Sequence, residues 1–120
     1  MEQGLFGQIN RPEDVDNPSD LEKKHAPIID CPDSIKANEP FEVTVHVGKL
    51  LKHPNEMGHH IQWIELYNGD LFITRVDLTP VSSEPKVTFT ITLDSTADVR
   101  ALTRCNLHGT WESARHVDVS

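Results

Sequence analysis

Alternating apolar and polar positions are the clearest pattern in the chain. In residues 41–47 phenylalanine and valine alternate with polar side chains, and residues 87–93 repeat the pattern with threonines at the polar positions. This period of two is typical of a strand buried on one face. Two further runs, 61–67 and 71–78, flank Asn68-Gly69-Asp70, which contains an Asn-Gly hairpin signal. Shorter candidate strands lie at 27–30, 99–104 and 116–119.

About seven short strands separated by turn residues, without a helical pattern of useful length, predict an all-β protein. We expect an immunoglobulin-like antiparallel β-sandwich of about seven strands. Residues 1–24 are polar and acidic, so they predict a loop-like N-terminal arm, with a short turn that begins at Ser19 or Asp20. The length of 120 residues predicts one domain over residues 1–120.

Charge and targeting features narrow the class of protein. The net charge is −8, from 11 basic and 19 acidic residues, and this predicts no nucleic acid and no anionic membrane surface as partner. No apolar run approaches the roughly 20 residues of a spanning helix, and no secretory signal is predicted. We therefore expect a cytoplasmic protein with reduced thiols, in which a cysteine close to a histidine is a candidate ligand or nucleophile.

Seven histidines beside two cysteines are the unusual part of the composition. His46 and His116 lie on predicted strands and are interpreted as ordinary surface histidines. The other five lie at strand ends or in loops, where a rigid sandwich can bring side chains to one point: His25, His53, His59, His60 and His108. Cys105 and His108 form a Cys-x-x-His pair, whose turn can aim backbone N–H groups at the sulfur.

This donor set leaves more than one metal open. A structural zinc usually has at least two thiolates, although one thiolate and three imidazoles can hold it. A single thiolate among imidazoles suits iron or copper better. A blue-copper site should carry a methionine shortly after its last histidine, whereas Thr110 and Trp111 follow here and Met57 lies upstream. A copper or zinc sandwich for electron transfer or structure is the second interpretation, and a metal-free immunoglobulin-like adhesion module is the third.

Four separated motifs, in order along residues 22–112, resemble superoxide reductase of the one-iron neelaredoxin class. They are Lys24-His25-Ala26-Pro27, His53-Pro54-Asn55 with Gly58-His59-His60-Ile61, Trp63-Ile64-Glu65-Leu66-Tyr67, and Cys105-Asn106-Leu107-His108-Gly109-Thr110-Trp111-Glu112. The two-iron desulfoferrodoxin class adds a four-cysteine centre near its N-terminus. With two cysteines, this chain cannot form that centre.

The resemblance implies a mononuclear iron with four imidazole ligands and one axial thiolate ligand. Carried over by position, these ligands are His25, His53, His59, His108 and Cys105. His60 follows a ligand on a strand and should point the other way, and Cys31 has no counterpart in the motifs.

The resemblance also implies the reaction. The iron would reduce superoxide by one electron to hydrogen peroxide, and an external donor such as rubredoxin would reduce the iron again. Relatives of this class are often tetramers, so a homo-oligomer is expected.

Lys24 stands where the family has a lysine that attracts superoxide and organises a water for protonation. The family places a glutamate directly before that lysine, and it closes the sixth iron position in the oxidised state; here Lys23 occupies that position and Glu22 precedes it. Either the site lacks this ligand, or a one-residue shift lets Glu22 reach the iron while Lys23 shares the lysine's role. We expect the first, since Pro27 limits slippage.

Overall fold

The computed structural model describes residues 4–120 and contains two β-sheets packed face to face. After a 3-10 turn at Leu5–Gly7 come β1 Ile9–Asn10, α1 Asp20–His25, β2 Ile28–Asp30 and β3 Ser34–Ile35. The longer strands follow: β4 Phe41–His46, β5 Ile61–Asn68, β6 Leu71–Asp77, β7 Lys86–Ile91, β8 Ala97–Cys105 and β9 Gly109–Val119. No helix among these residues is long and apolar enough to cross a membrane.

The larger sheet has the order β1-β9-β8-β5-β6, with β3 also on β9, and the smaller sheet has the order β2-β4-β7. Pairing between the long strands is antiparallel, whereas the two-residue strands β1 and β3 run parallel to β9. The core lies between the sheets, where Val43 and Val45 of the smaller sheet meet Ile64, Leu66 and other apolar side chains of the larger one. The predicted β-sandwich is confirmed.

Two strands extend the prediction, and one strand is longer than expected. Alternation cannot reveal the two-residue strands β1 and β3, because a period needs several residues. The sequence predicted a strand at 116–119, whereas β9 begins at Gly109. The first half of β9 was not predicted because it contains Glu112. This side chain is only 7% exposed, whereas a buried strand position is expected to be apolar.

The N-terminal arm is more ordered than a loop. Residues 1–3 of the predicted arm lie outside the described part, and the rest contains the 3-10 turn, β1 and most of α1. Ser19 caps α1: its hydroxyl accepts from the Glu22 N–H, and the Glu22 carboxylate accepts from the Ser19 N–H at 2.8 Å. This capping box explains why six residues form a helix where a turn was predicted.

The arm is attached to β9 at a glycine. Gly109 has φ +82°, and a Cβ there would lie 2.4 Å from the Leu5 carbonyl oxygen, so no other residue fits without displacing the arm. Asn10 donates from Nδ2 to that same carbonyl and to the Thr110 carbonyl, each at 2.9 Å. The arm therefore packs beside the loop that precedes β9.

Candidate metal centre

Four of the predicted ligands meet at one end of the sandwich. The ligand atoms of His25, His53, His59 and Cys105 all lie within 4.8 Å of one another. His25 is the last residue of α1, His53 and His59 belong to the connection between β4 and β5, and Cys105 ends β8. Three segments that are distant in sequence thus supply one cluster of three nitrogen donors and one sulfur donor.

His108 lies beside this cluster. Its Nδ1 is 3.7 Å from the Cys105 sulfur, and its ring centroid is 4.7 Å from that of His25 and 5.1 Å from that of His59. Trp111 fixes the backbone here, because its indole Nε1 donates to the His108 carbonyl at 3.0 Å while its ring stacks 5.3 Å from His25. The structure therefore brings four of the five predicted ligands into one cluster and places His108 next to it.

Hydrogen bonds fix the tautomers of His25 and His53. The His25 Nδ1 is 2.8 Å from the Leu21 carbonyl oxygen, and the His53 Nδ1 is 2.6 Å from the Pro54 carbonyl oxygen. A carbonyl only accepts, so each Nδ1 carries the proton and each Nε2 presents a lone pair. Carbonyls that orient imidazoles in this way are common behind metal ligands.

The lone pairs of these two rings face each other. The Nε2 atoms of His25 and His53 are 3.2 Å apart, and the His53 Nε2 is 3.3 Å from the Cys105 sulfur. Burial lowers the pKa of both His25 and His53 to about 4, so both rings are neutral near pH 7. The two nitrogen lone pairs and the sulfur thus face one another with only the thiol proton available between them. They repel one another, and a bound cation would stabilise the group.

His59 has an unpaired nitrogen in the same cluster. Its Nε2 is buried without a hydrogen-bond partner among the described residues. The ring is presented by a tight turn in which Glu56 and His59 exchange two backbone hydrogen bonds of 2.9 and 3.1 Å. A buried nitrogen without a partner is costly unless a ligand satisfies it, so this atom also fits a metal.

Cys105 is fully buried, and its thiol is free. Burial raises the pKa of the thiol, and backbone N–H groups of Leu107 and His108 directed at the sulfur act in the opposite direction. Both cysteines are free, and Cys31 lies in the core between the sheets. The N–H groups predicted from the Cys-x-x-His turn are present, and they would hold a thiolate against a cation.

Asn106 joins the two ligand-bearing loops, a role that the sequence did not reveal. Its Oδ1 accepts from the His60 N–H and its Nδ2 donates to the Gly58 carbonyl, each at 2.9 Å. The contact holds the turn that carries His59 against the turn that carries His108. The sequence shows only that Asn106 lies between Cys105 and His108. It does not show the hydrogen-bond partners of Asn106, because they lie 46 and 48 positions away.

The charged candidates of α1 divide between the site and the arm. Lys24 is half-buried and directly precedes His25, and its positive charge contributes to lowering the pKa of both His25 and His59. Lys23 instead lies 4.0 Å from Asp20. The Glu22 carboxylate accepts from the Ser19 and Glu13 N–H groups, at 2.8 and 3.0 Å, which occupies both of its oxygens in the arm.

The remaining histidines lie outside the ligand cluster. His60 belongs to the same loop as His59 but not to the group of converging ligand atoms. His46 pairs with Lys86 across the smaller sheet. His116 is 61% exposed and bonds Asp98 and Asp118 at 2.9 and 3.1 Å.

Fold and site together define a β-sandwich protein in which one cysteine and three histidines converge on one candidate metal position, with a fourth histidine beside them. Comparison with known proteins gives the same class: the family described as desulfoferrodoxin matches residues 17–114. The chain therefore belongs to the desulfoferrodoxin family.

Individual relatives refine this assignment. The neelaredoxin of Megalodesulfovibrio gigas is 36% identical over 113 residues, covering 79% of this chain and 87% of the relative. The superoxide reductase of Pyrococcus horikoshii is 37% identical over 100 residues, covering 76% and 84%. The solved superoxide reductase (neelaredoxin) of Ignicoccus hospitalis aligns with a TM-score of 0.82 at 37% identity, covering 93% of this chain and 95% of that one.

We predict that the metal-free protein loses stability as the pH falls from about 6.5 to about 4. The unfolded state protonates its histidines near pH 6.5, whereas folded His25 and His53 resist protonation down to about 4. In this window the unfolded state binds more protons, so acid favours unfolding. Thermal melts at pH 7, 6 and 5 measure the slope. The melting temperature of a His53→Asn variant should fall less steeply with decreasing pH than that of the parent protein. An equal slope would contradict the lowered pKa of His53 as a cause of the acid instability.

Proposed function

We propose that this chain is a superoxide reductase that converts superoxide to hydrogen peroxide at one mononuclear non-haem iron. Each superoxide takes up one electron and two protons. The ligands would be the imidazoles of His25, His53, His59 and His108 and the thiolate of Cys105. The facing unprotonated nitrogens of His25 and His53 beside the Cys105 sulfur carry this proposal, because they create a strong local demand for a cation.

When bound, the iron supplies the electron for superoxide. The chain's own contribution is to hold the donors in place. Leu21 and Pro54 carbonyls orient two rings, Trp111 packs on His25, and the turn after Cys105 directs N–H groups toward its sulfur. Donors fixed in advance need no rearrangement when the electron moves.

Lys24 is proposed to attract the anion and to assist protonation. A net charge of −8 repels superoxide at long range, so attraction must come from charges close to the site. Lys24 directly precedes the ligand His25, and its charge acts on His25 and His59. An ammonium here can donate a hydrogen bond to a reduced oxygen species or to a water that protonates it.

We further propose that no carboxylate from the arm completes the iron coordination. Glu22 is committed to the α1 cap, and Lys23 is oriented toward Asp20 rather than toward the cluster. Neither the shifted-ligand hypothesis for Glu22 nor the accessory role for Lys23 has support from these contacts. No carboxylate of the arm would therefore compete with superoxide or solvent for the iron.

The partners follow from the same proposal. An external electron donor such as rubredoxin must return one electron per superoxide, and the chain is proposed to act as a homo-oligomer, tetrameric by resemblance to its relatives. A reducing cytoplasm suits the free Cys105 thiol. Copper is a poorer fit than iron, because the candidate axial ligand Met57 is 74% exposed to solvent.

The principal test is direct. Purified protein should contain about one iron per chain, and stopped-flow mixing of the reduced protein with superoxide should give stoichiometric ferric product and peroxide without oxygen. Cys105→Ser should abolish the visible thiolate-to-iron absorption band, while Cys31→Ser, the matched control, should keep it. Tight zinc binding with no iron uptake would exclude this function.

Lys24→Ala should slow the reaction with superoxide, and Lys23→Ala should not. Loss of a cation beside the site should lower the second-order rate constant about tenfold and weaken its dependence on ionic strength. Both variants remove one positive charge from α1, so their net charges are equal. A difference between their rates therefore reports where the removed charge was located. Equal rate losses in the two variants would assign the effect to overall charge.

Glu22→Ala should leave the ferric absorption spectrum unchanged while destabilising the fold. Removing half of the capping box should lower the free energy of unfolding by about 1 kcal/mol. Asp20→Ala, which removes a carboxylate from the same helix without a cap bond, is the control for charge. A marked change in the Glu22→Ala ferric spectrum would mean that the carboxylate does reach the iron.

A further inference from the structure

The connection between β6 and β7 contains a backbone conformation that its residue disfavours. We call residues 79–84 of this connection the bracing loop. Val81 in this loop has φ +71°, and the Ser82 N–H donates to the Pro80 carbonyl at 2.8 Å, which closes a three-residue turn around Val81. A turn of this kind with positive φ is rare and strained, and a β-branched residue adopts it only at a cost. Such a conformation persists only where neighbouring groups hold it.

A side chain of the ligand-bearing connection between β4 and β5 holds this turn. The Asn55 Oδ1 accepts from the Val81 N–H at 2.8 Å. The Asn55 Nδ2 donates to the carbonyls of Val81 and Ser83, at 3.3 and 3.2 Å. An N–H only donates and a carbonyl only accepts, so these partners also fix which end of the carboxamide is oxygen and which is nitrogen. Both ends of the Asn55 side chain are therefore used on the bracing loop.

The position of Asn55 in the chain connects the bracing loop to His53. The Pro54 carbonyl, which accepts from the His53 Nδ1 at 2.6 Å, belongs to the peptide group that ends at the Asn55 nitrogen. A peptide group is planar, so a fixed Asn55 restricts the direction of the Pro54 carbonyl. That carbonyl in turn orients the His53 ring, whose Nε2 faces His25 and the Cys105 sulfur.

Backbone contacts fix His53 at its own nitrogen. Gly48 has φ +85°, and a Cβ there would lie 2.6 Å from the His53 nitrogen, so the two backbones touch. The Val47 N–H donates to the Pro85 carbonyl at 2.9 Å, which attaches the end of the bracing loop beside the same glycine. These contacts hold the chain where it enters His53, and Asn55 holds the peptide that follows.

We propose that Asn55 is a positioning residue of the metal centre, and that the bracing loop is the support against which it orients His53. This inference rests on the ligand set proposed above. The support is itself anchored: the Leu78 N–H donates to the Gln62 carbonyl of β5 at 2.9 Å, and Pro85 is tied to the end of β4. The bonds of Asn55 offset the strain at Val81, so the turn and the ligand are held together.

Cobalt(II) affinity tests this role by competition with a chelator on the full-length chain. Asn55→Ala should bind cobalt(II) about 10- to 100-fold more weakly and shift its thiolate-to-cobalt absorption band, as is usual when a partner that orients a ligand is lost. Asn17→Ala, the same substitution at an exposed asparagine of the arm, is the matched control and should change neither. An Asn55→Ala protein that folds with parental affinity and spectrum would overturn the proposal, as would equal weakening by Asn17→Ala.

Val81→Pro breaks the same contact from the other side and serves if Asn55→Ala does not fold by circular dichroism. Proline has no N–H for the Asn55 Oδ1 and excludes a positive φ. It should weaken cobalt(II) binding in the same way, and a folded variant with parental affinity would contradict the proposal. Cobalt(II) reports the ligand geometry whichever metal the purified protein contains. The proposed function could therefore fail, through the absence of iron or of superoxide reduction, without changing this comparison.

The strain at Val81 gives an independent test by urea unfolding of the metal-free protein. Val81→Gly should raise the folding equilibrium constant about fivefold, because glycine adopts a positive φ without steric cost. In the Asn55→Ala background the turn can relax, so the same substitution should give no gain. Val15→Gly, at a 77% exposed valine without a positive φ, is the control and should raise stability in neither background. Equal gains from Val81→Gly in both backgrounds would show that Asn55 does not hold the turn and would overturn the proposal.

Discussion

Electrostatic repulsion between unprotonated donors is the constraint on which the site depends. Two imidazole nitrogens face each other at 3.2 Å, and both rings have their only proton on the opposite side, in a bond to a carbonyl. Such a group would spread apart in a flexible loop. It persists here because His25 is fixed at the end of a capped helix and His53 lies in a loop bonded to its neighbours. The fold thus opposes the repulsion, and a cation would turn it into attraction.

Several parts of the fold could be predicted because their cause is local. The alternation of β4 places Val43 and Val45 in the core with no reference to the rest of the chain, and Asn68-Gly69 fixes the turn between β5 and β6. The cap of α1 is equally local, since Ser19 and Glu22 stand three residues apart, although only a turn was predicted there. In each case the residues that determine the structure lie within a few positions of one another in the sequence.

Other parts could not be predicted because their partners are far apart in sequence. Glu112 is buried in β9 only because Arg11 and Arg100 neutralise it from 101 and 12 positions away. Asn106 reads as an ordinary turn residue until Gly58 and His60 are placed beside it. The ligand residues themselves were identified by resemblance to a family. The groups that orient two of them are the backbone carbonyls of Leu21 and Pro54, and because every residue has a carbonyl, the sequence does not mark them.

The distribution of the ligands also has a consequence for folding. His53 is 28 positions from His25 and 52 from Cys105, so the unfolded chain must close two long loops before these donors meet. Closing such long loops costs conformational entropy, so these non-local contacts slow the assembly of the site. A metal that binds only the assembled cluster would act as a cross-link between the arm and β8, and it would slow the opening of this end of the molecule more than its closing.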